Sequence, residues 1–79
     1  MKEQFRIEKR ADIEEGRLKV VTRNGLEVRI FDWNLGSGDF PIVAQIRDLN
    51  GNYEWSDYTV DGISRDNPDL DLFVIEDGE

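Results

Sequence analysis

Seventy-nine residues make one small domain at most, and the absence of cysteine and histidine removes disulfides, zinc fingers and thiol or imidazole catalysts together. A net charge of −8, from 18 acidic and 10 basic residues, favours solubility and works against non-specific contact with nucleic acid. No apolar run approaches the roughly 20 residues of a membrane-spanning helix, and the opening MKEQFRIEKR is too charged for a signal peptide, so a cytoplasmic protein away from membranes is expected.

The chain reads as strands from near its start. Phe5-Arg6-Ile7 alternates and predicts a short strand. Ala11 to Glu15 favours a helical turn, which Gly16 would stop. Leu18 to Thr22 and Leu26 to Asp32 alternate and are rich in β-branched residues, so both are predicted strands. Between them lies Asn24-Gly25, a strong short signal for a hairpin.

Register decides the turn. A two-residue turn would set Leu18 and Val20 on the same face as Glu27 and Arg29, splitting the apolar residues between two faces. A three-residue loop, Arg23-Asn24-Gly25, sets Thr22 opposite Leu26, Val20 opposite Val28 and Leu18 opposite Ile30. One face is then apolar, which a half-buried hairpin requires. This predicts a bulged loop with Gly25 at positive φ.

Leu35 to Asp39 is predicted as a loop, with Gly36-Ser37-Gly38 as a spacer. It lacks the lysine and following helix of a phosphate-binding loop. Phe40 to Asp48 is a strand opened by Pro41, and Asn52 to Val60 is another, joined through Asn50-Gly51. Here an even loop is expected, because it places Ile42, Ala44 and Ile46 with Tyr53 and Trp55. A three-residue loop would oppose Ile46 to Glu54. Asp61-Gly62 turns again, Arg65 to Asp69 is irregular, and Leu70 to Glu76 is the last strand, apolar on both faces.

The fold class is therefore mainly β: a small antiparallel sheet of five or six strands, curled into a roll or open barrel, with one short N-terminal helical turn. It forms a single domain over 1–79, with its core within 5–76. The predicted core draws on Leu18, Val20, Leu26, Val28, Ile30, Ile42, Ala44, Ile46, Trp55, Leu70, Leu72 and Val74, with Phe5 or Ile7 capping one end.

Charge is unevenly placed. Residues 1–31 carry eight basic and six acidic side chains, and residues 32–79 carry two basic and twelve acidic. Arg17, Lys19, Arg23 and Arg29 gather on the first hairpin, where Lys19 opposes Arg29, an unfavourable like-charge rung. With Trp33, the aromatic beside the loop, they are the candidate partner-binding residues. Phe31, Tyr53 and Tyr58 are further candidates for an exposed aromatic patch. Asp66, Asp69 and Asp71 lack the spacing of a calcium loop and read as turn-forming acid. No catalytic, metal or cofactor residues are assigned.

Taken in order, KVVTRNGLEVRI, DFPIVAQI, YTVDG and DLDLFVIED resemble a family of small uncharacterised domains common in gut Bacteroidetes, their phages and mobile elements. The resemblance covers roughly residues 5 to 76, with Asn24 where that loop commonly has Asp. It implies a β-rich domain without an agreed activity and a setting in host–phage interaction. The function expected is a non-enzymatic module that binds another protein. Two alternatives are an acidic inhibitor that mimics nucleic acid, using the carboxylates between Asp57 and Asp77, and weak nucleic-acid binding through the first hairpin.

Overall fold

Alternation of apolar and polar residues dictates strands here, and six of them form one antiparallel sheet in a computed structural model that describes residues 2–35 and 38–76. The strands are β1 (Glu3–Gln4), β2 (Leu18–Thr22), β3 (Glu27–Asp32), β4 (Ile42–Arg47), β5 (Tyr53–Tyr58) and β6 (Leu72–Glu76), in the order β1-β6-β2-β3-β4-β5. The sheet is open, so β1 and β5 are its edges. Between β1 and β2 a 3-10 turn, Ile7–Lys9, runs into a five-residue helix α1, Arg10–Glu14. Phe5 is not in a strand as its alternation predicted. It is fully buried, and its N–H makes a last long bond to the Leu72 carbonyl at 3.4 Å.

One face of the sheet is the core. Phe5, Val20, Ile42, Ala44, Ile46, Tyr58, Leu72 and Val74 are buried together there. Ile13 of α1, Trp33 and Leu70 close over them, with Leu18, Leu26, Val28 and Ile30 partly buried at the margins. Burial of such side chains contributes about 1.5–3 kcal/mol each.

The first hairpin has the predicted register at its turn end, but the expected Leu18–Ile30 pair is not formed. Val20 pairs Val28 and Val21 pairs Glu27, and the Thr22 N–H donates to the Leu26 carbonyl at 2.9 Å. The three-residue loop closes with the Gly25 N–H on the Thr22 carbonyl at 2.9 Å, and Gly25 has φ of +88°.

The second hairpin corrects the expectation of an even loop. Its loop is also three residues, Leu49-Asn50-Gly51, with the Gly51 N–H on the Asp48 carbonyl at 3.1 Å and φ of +85° at Gly51. Ile46 therefore does pair with Glu54. Two local facts make that register acceptable. Asp48 Oδ1 accepts from the Asn50 and Asn52 N–H groups at 2.8 and 2.9 Å, which fixes the loop. Glu54 lies near the start of an edge strand and stays exposed, so no carboxylate is buried. The register puts Ser56 and Tyr58 on the core face and turns Tyr53 and Trp55 outward. Trp55 is thus not a core residue, and Tyr58 takes the place expected of it.

The expected spacer at Gly36-Ser37-Gly38 lies in part outside the described residues. No helix among the described residues is long and apolar enough to cross a membrane.

Candidate functional site

The basic residues of the first hairpin do not act as one patch. Arg17 follows α1, and its guanidinium bonds Asp12 at 2.6 Å and Glu15 at 2.5 Å. Those two carboxylates raise its pKa above the usual arginine value. Arg23 is turned inward over the C-terminal segment. Its Nε donates to the Pro68 carbonyl at 3.1 Å and its Nη2 meets Asp71 at 3.3 Å. Asp71 is buried, and its other oxygen accepts from the Ser64 N–H at 2.8 Å. The Arg23 guanidinium also covers the Phe73 ring at 5.2 Å, as does the Lys2 ammonium at 5.0 Å. Lys2 in turn donates to the Arg23 carbonyl at 2.7 Å. The tip of the hairpin is thus tied to the segment before β6, and these cations cover the outer side of that strand.

Trp33 is also engaged internally. Its ring stacks on Phe5 with centroids 5.9 Å apart, and Arg10 covers it at 5.1 Å. Of the five candidate residues, Lys19 and Arg29 project from neighbouring strands onto the outer face of the sheet, and Arg23 reaches that face only from the loop, over Phe73. Arg29 has no ion pair among the described residues.

Register places a different group on that face. Phe31, Trp55 and Tyr53 are 62%, 58% and 58% exposed. Phe31 meets Trp55 edge-to-face at 5.1 Å between centroids. Arg29 pairs Gln45, and Gln45 pairs Trp55, so a guanidinium borders the aromatics across two rungs. A bulge between Ile30 and Asp32 carries Phe31 toward Trp55. Trp55 was missed because its outward position depends on the loop length. The signal was present: Asp48-x-Asn50-Gly51 has the same form as Thr22-x-Asn24-Gly25.

The aromatics stand beside a free edge. Asp48 and Asn52 form a hydrogen-bonded pair, so such pairs recur at Glu54, Ser56 and Tyr58. The N–H and C=O groups of Tyr53, Trp55 and Asp57 therefore point away from β4. At Asp57 the carbonyl is taken by the Arg65 N–H at 3.1 Å, and Tyr58 bridges Ser64. At Tyr53 and Trp55 nothing covers the edge among the described residues.

The acidic residues are dispersed. Asp57 meets Arg65 at 3.4 Å and Asp71 meets Arg23, so two of the carboxylates that a nucleic-acid mimic would use have internal partners. No cluster of three or more acidic side chains among the described residues is placed to hold a metal ion. Comparison with protein-family models, curated proteins and solved structures finds no match.

Proposed function

We propose that this chain is a protein-interaction module whose partner adds an extended segment to the free edge of β5. The observation that carries the reading is the coincidence of an uncovered edge at Tyr53 and Trp55 with the exposed Phe31–Trp55–Tyr53 cluster beside it. In strand addition, main-chain hydrogen bonds supply affinity and alternate side chains supply specificity. Aromatic and arginine side chains are the residues that dominate binding energy at protein interfaces.

A second copy is a poor occupant. Each chain carries −8. Self-pairing of β5 centred on Glu54 would oppose two carboxylates, and centring on Trp55 would drive Tyr53 of one copy into the segment covering Asp57 of the other. A different protein is therefore the partner. A cytoplasmic setting in phage or mobile-element biology belongs to the same proposal. Its support is the cysteine-free composition and the family resemblance.

Affinity capture with the wild type, Trp55→Ala and Tyr53→Pro tests this. Proline at Tyr53 removes an N–H directed at the free edge and leaves the β4 pairing in place. A protein held by the wild type, lost with both variants and reproduced with purified components is the expected result. A partner retained by both variants, or none at all, sinks the proposal.

A further inference from the structure

The sheet is divided along its middle. β2 pairs β6 over five rungs, Leu18 to Thr22, and β3 pairs β4 from Glu27 to Asp32. Between β2 and β3, beyond the Thr22–Leu26 bond at the turn, only Val21–Glu27 and Val20–Val28 are paired. The ladder stops where Lys19 and Arg29 would oppose each other. Val20–Val28 is a hydrogen-bonded rung, so the next would be Leu18–Ile30. That rung is absent, and the N–H and C=O groups it would have used face the gap. Like charge at Lys19 and Arg29 opposes closure there, and the bulge after Ile30 bends β3 away.

The gap is a cleft of about 450 Å³, within the roughly 300–1,000 Å³ usual for small-molecule sites. Its walls are apolar: Leu18, Val20, Val28 and Ile30 from the strands, with Ile13 and Trp33 at its inner end. Four charged side chains also line it: Lys19, Glu27 and Arg29 at its mouth on the outer face of the strands, and Glu14 from α1. The two carboxylates are drawn elsewhere. Glu14 bonds Arg10 at 2.6 Å, and Glu27 lies 4.0 Å from Arg47. Arg29 has no carboxylate partner among the described residues, so the mouth offers a cation to an incoming anion.

We infer that this cleft binds a small amphipathic carboxylate, with its apolar body between β2 and β3 and its carboxylate at Arg29. The splayed strands supply the dry walls, and the guanidinium presents a planar fork suited to a carboxylate. Arg29 also borders the aromatics beside the β5 edge, but the cleft itself lies between β2 and β3 and does not depend on strand addition at β5.

The test is titration of the wild-type chain with decanoate below its micelle concentration, alongside decan-1-ol and acetate. Saturable one-to-one binding of decanoate is expected, with both comparison compounds at least tenfold weaker. Amide shifts in ¹⁵N spectra should centre on Leu18 and Ile30. Arg29→Gln, a surface change, should weaken decanoate at least fivefold with the thermal midpoint retained. The inference is overturned by absence of saturable decanoate binding, by equal affinity for decan-1-ol, by shifts centred away from Leu18 and Ile30, or by undiminished binding to Arg29→Gln.

Discussion

Gly62 shows how one residue can hold three segments. It turns the chain after β5 with φ of +80°, and its carbonyl accepts from the Leu72 N–H at 2.8 Å. A Cβ there would stand 2.8 Å from Phe5 Cδ1 and 3.0 Å from Leu72 Cβ. Gly25 has a similar φ, but a Cβ there would meet nothing within 4 Å. Alanine at Gly25 should therefore cost about 1–2 kcal/mol, from the backbone conformation alone. Alanine at Gly62 should add overpacking of about 1–3 kcal/mol. Urea unfolding of the two variants measures the difference, and equal losses would contradict the close approach of Phe5. Tyr58 offers a second measurement at this scale. Its hydroxyl donates to the Leu70 carbonyl at 2.9 Å, and burial, with Asp71 adding repulsion, pushes its pKa up to about 12. The phenolate is disfavoured in the folded state. Below pH 10 both states hold the proton and the contribution is complete. Above pH 10 the unfolded chain releases it first, so stability falls until the folded pKa is passed. The loss is about 2–3 kcal/mol between pH 10 and 12. Tyr58→Phe should flatten that part of the pH profile, at a cost of about 1 kcal/mol at neutral pH for the lost hydrogen bond.

At the scale of elements, three loops share one construction. Thr22, Asp48 and Thr59 each precede a three-residue loop ending in glycine, and the side-chain oxygen of each accepts from the backbone N–H four residues on, at 2.9, 2.9 and 3.1 Å. Sequence reasoning found the first loop because its flanks agree: only a three-residue loop gathers Val20 and Val28 on one face. It misread the second because Tyr53 and Trp55 were given more weight as core than the Asp48 side chain was given as a turn anchor. An aromatic residue on an edge strand is free to face outward, so hydrophobicity alone was a poor guide to register there. The consequence reached the candidate site: Trp55 moved from core to surface, and Trp33 from surface to a stack on Phe5. The placement of β6 between β1 and β2 was signalled only by its apolar residues on both faces, and the incomplete β2–β3 ladder only by the like charges at Lys19 and Arg29. Asp48→Ala should remove both loop bonds and cost about 1 kcal/mol, with the largest gain in amide exchange at Asn50 and Asn52. Unchanged protection at those amides would show that the register does not depend on Asp48.

At the scale of the molecule, the strand order explains how a chain with polarised charge holds together. The C-terminal strand β6 lies between β1 and β2, so the acidic half is inserted into the more basic half. Arg23 on Asp71, with Lys2 and Arg23 over Phe73, are the contacts that this insertion creates. β6 also supplies Leu72 and Val74, which are buried against Val20 and the rest of the core. A chain ending at Asp71 would lose those two side chains, five rungs with β2 and the whole pairing of β1. A domain this small has only a few kcal/mol to spare, and two buried aliphatic side chains alone contribute about 3–6 kcal/mol. The 1–71 fragment should therefore show no cooperative urea transition and little amide protection, even though both remaining hairpins are local. Because β2 and β3 share so few rungs, β3, β4 and β5 should keep the most residual order in that fragment. A cooperative transition near the wild-type midpoint would mean that the β3-β4-β5 half folds on its own, and that β6 is an accessory strand rather than the closing one.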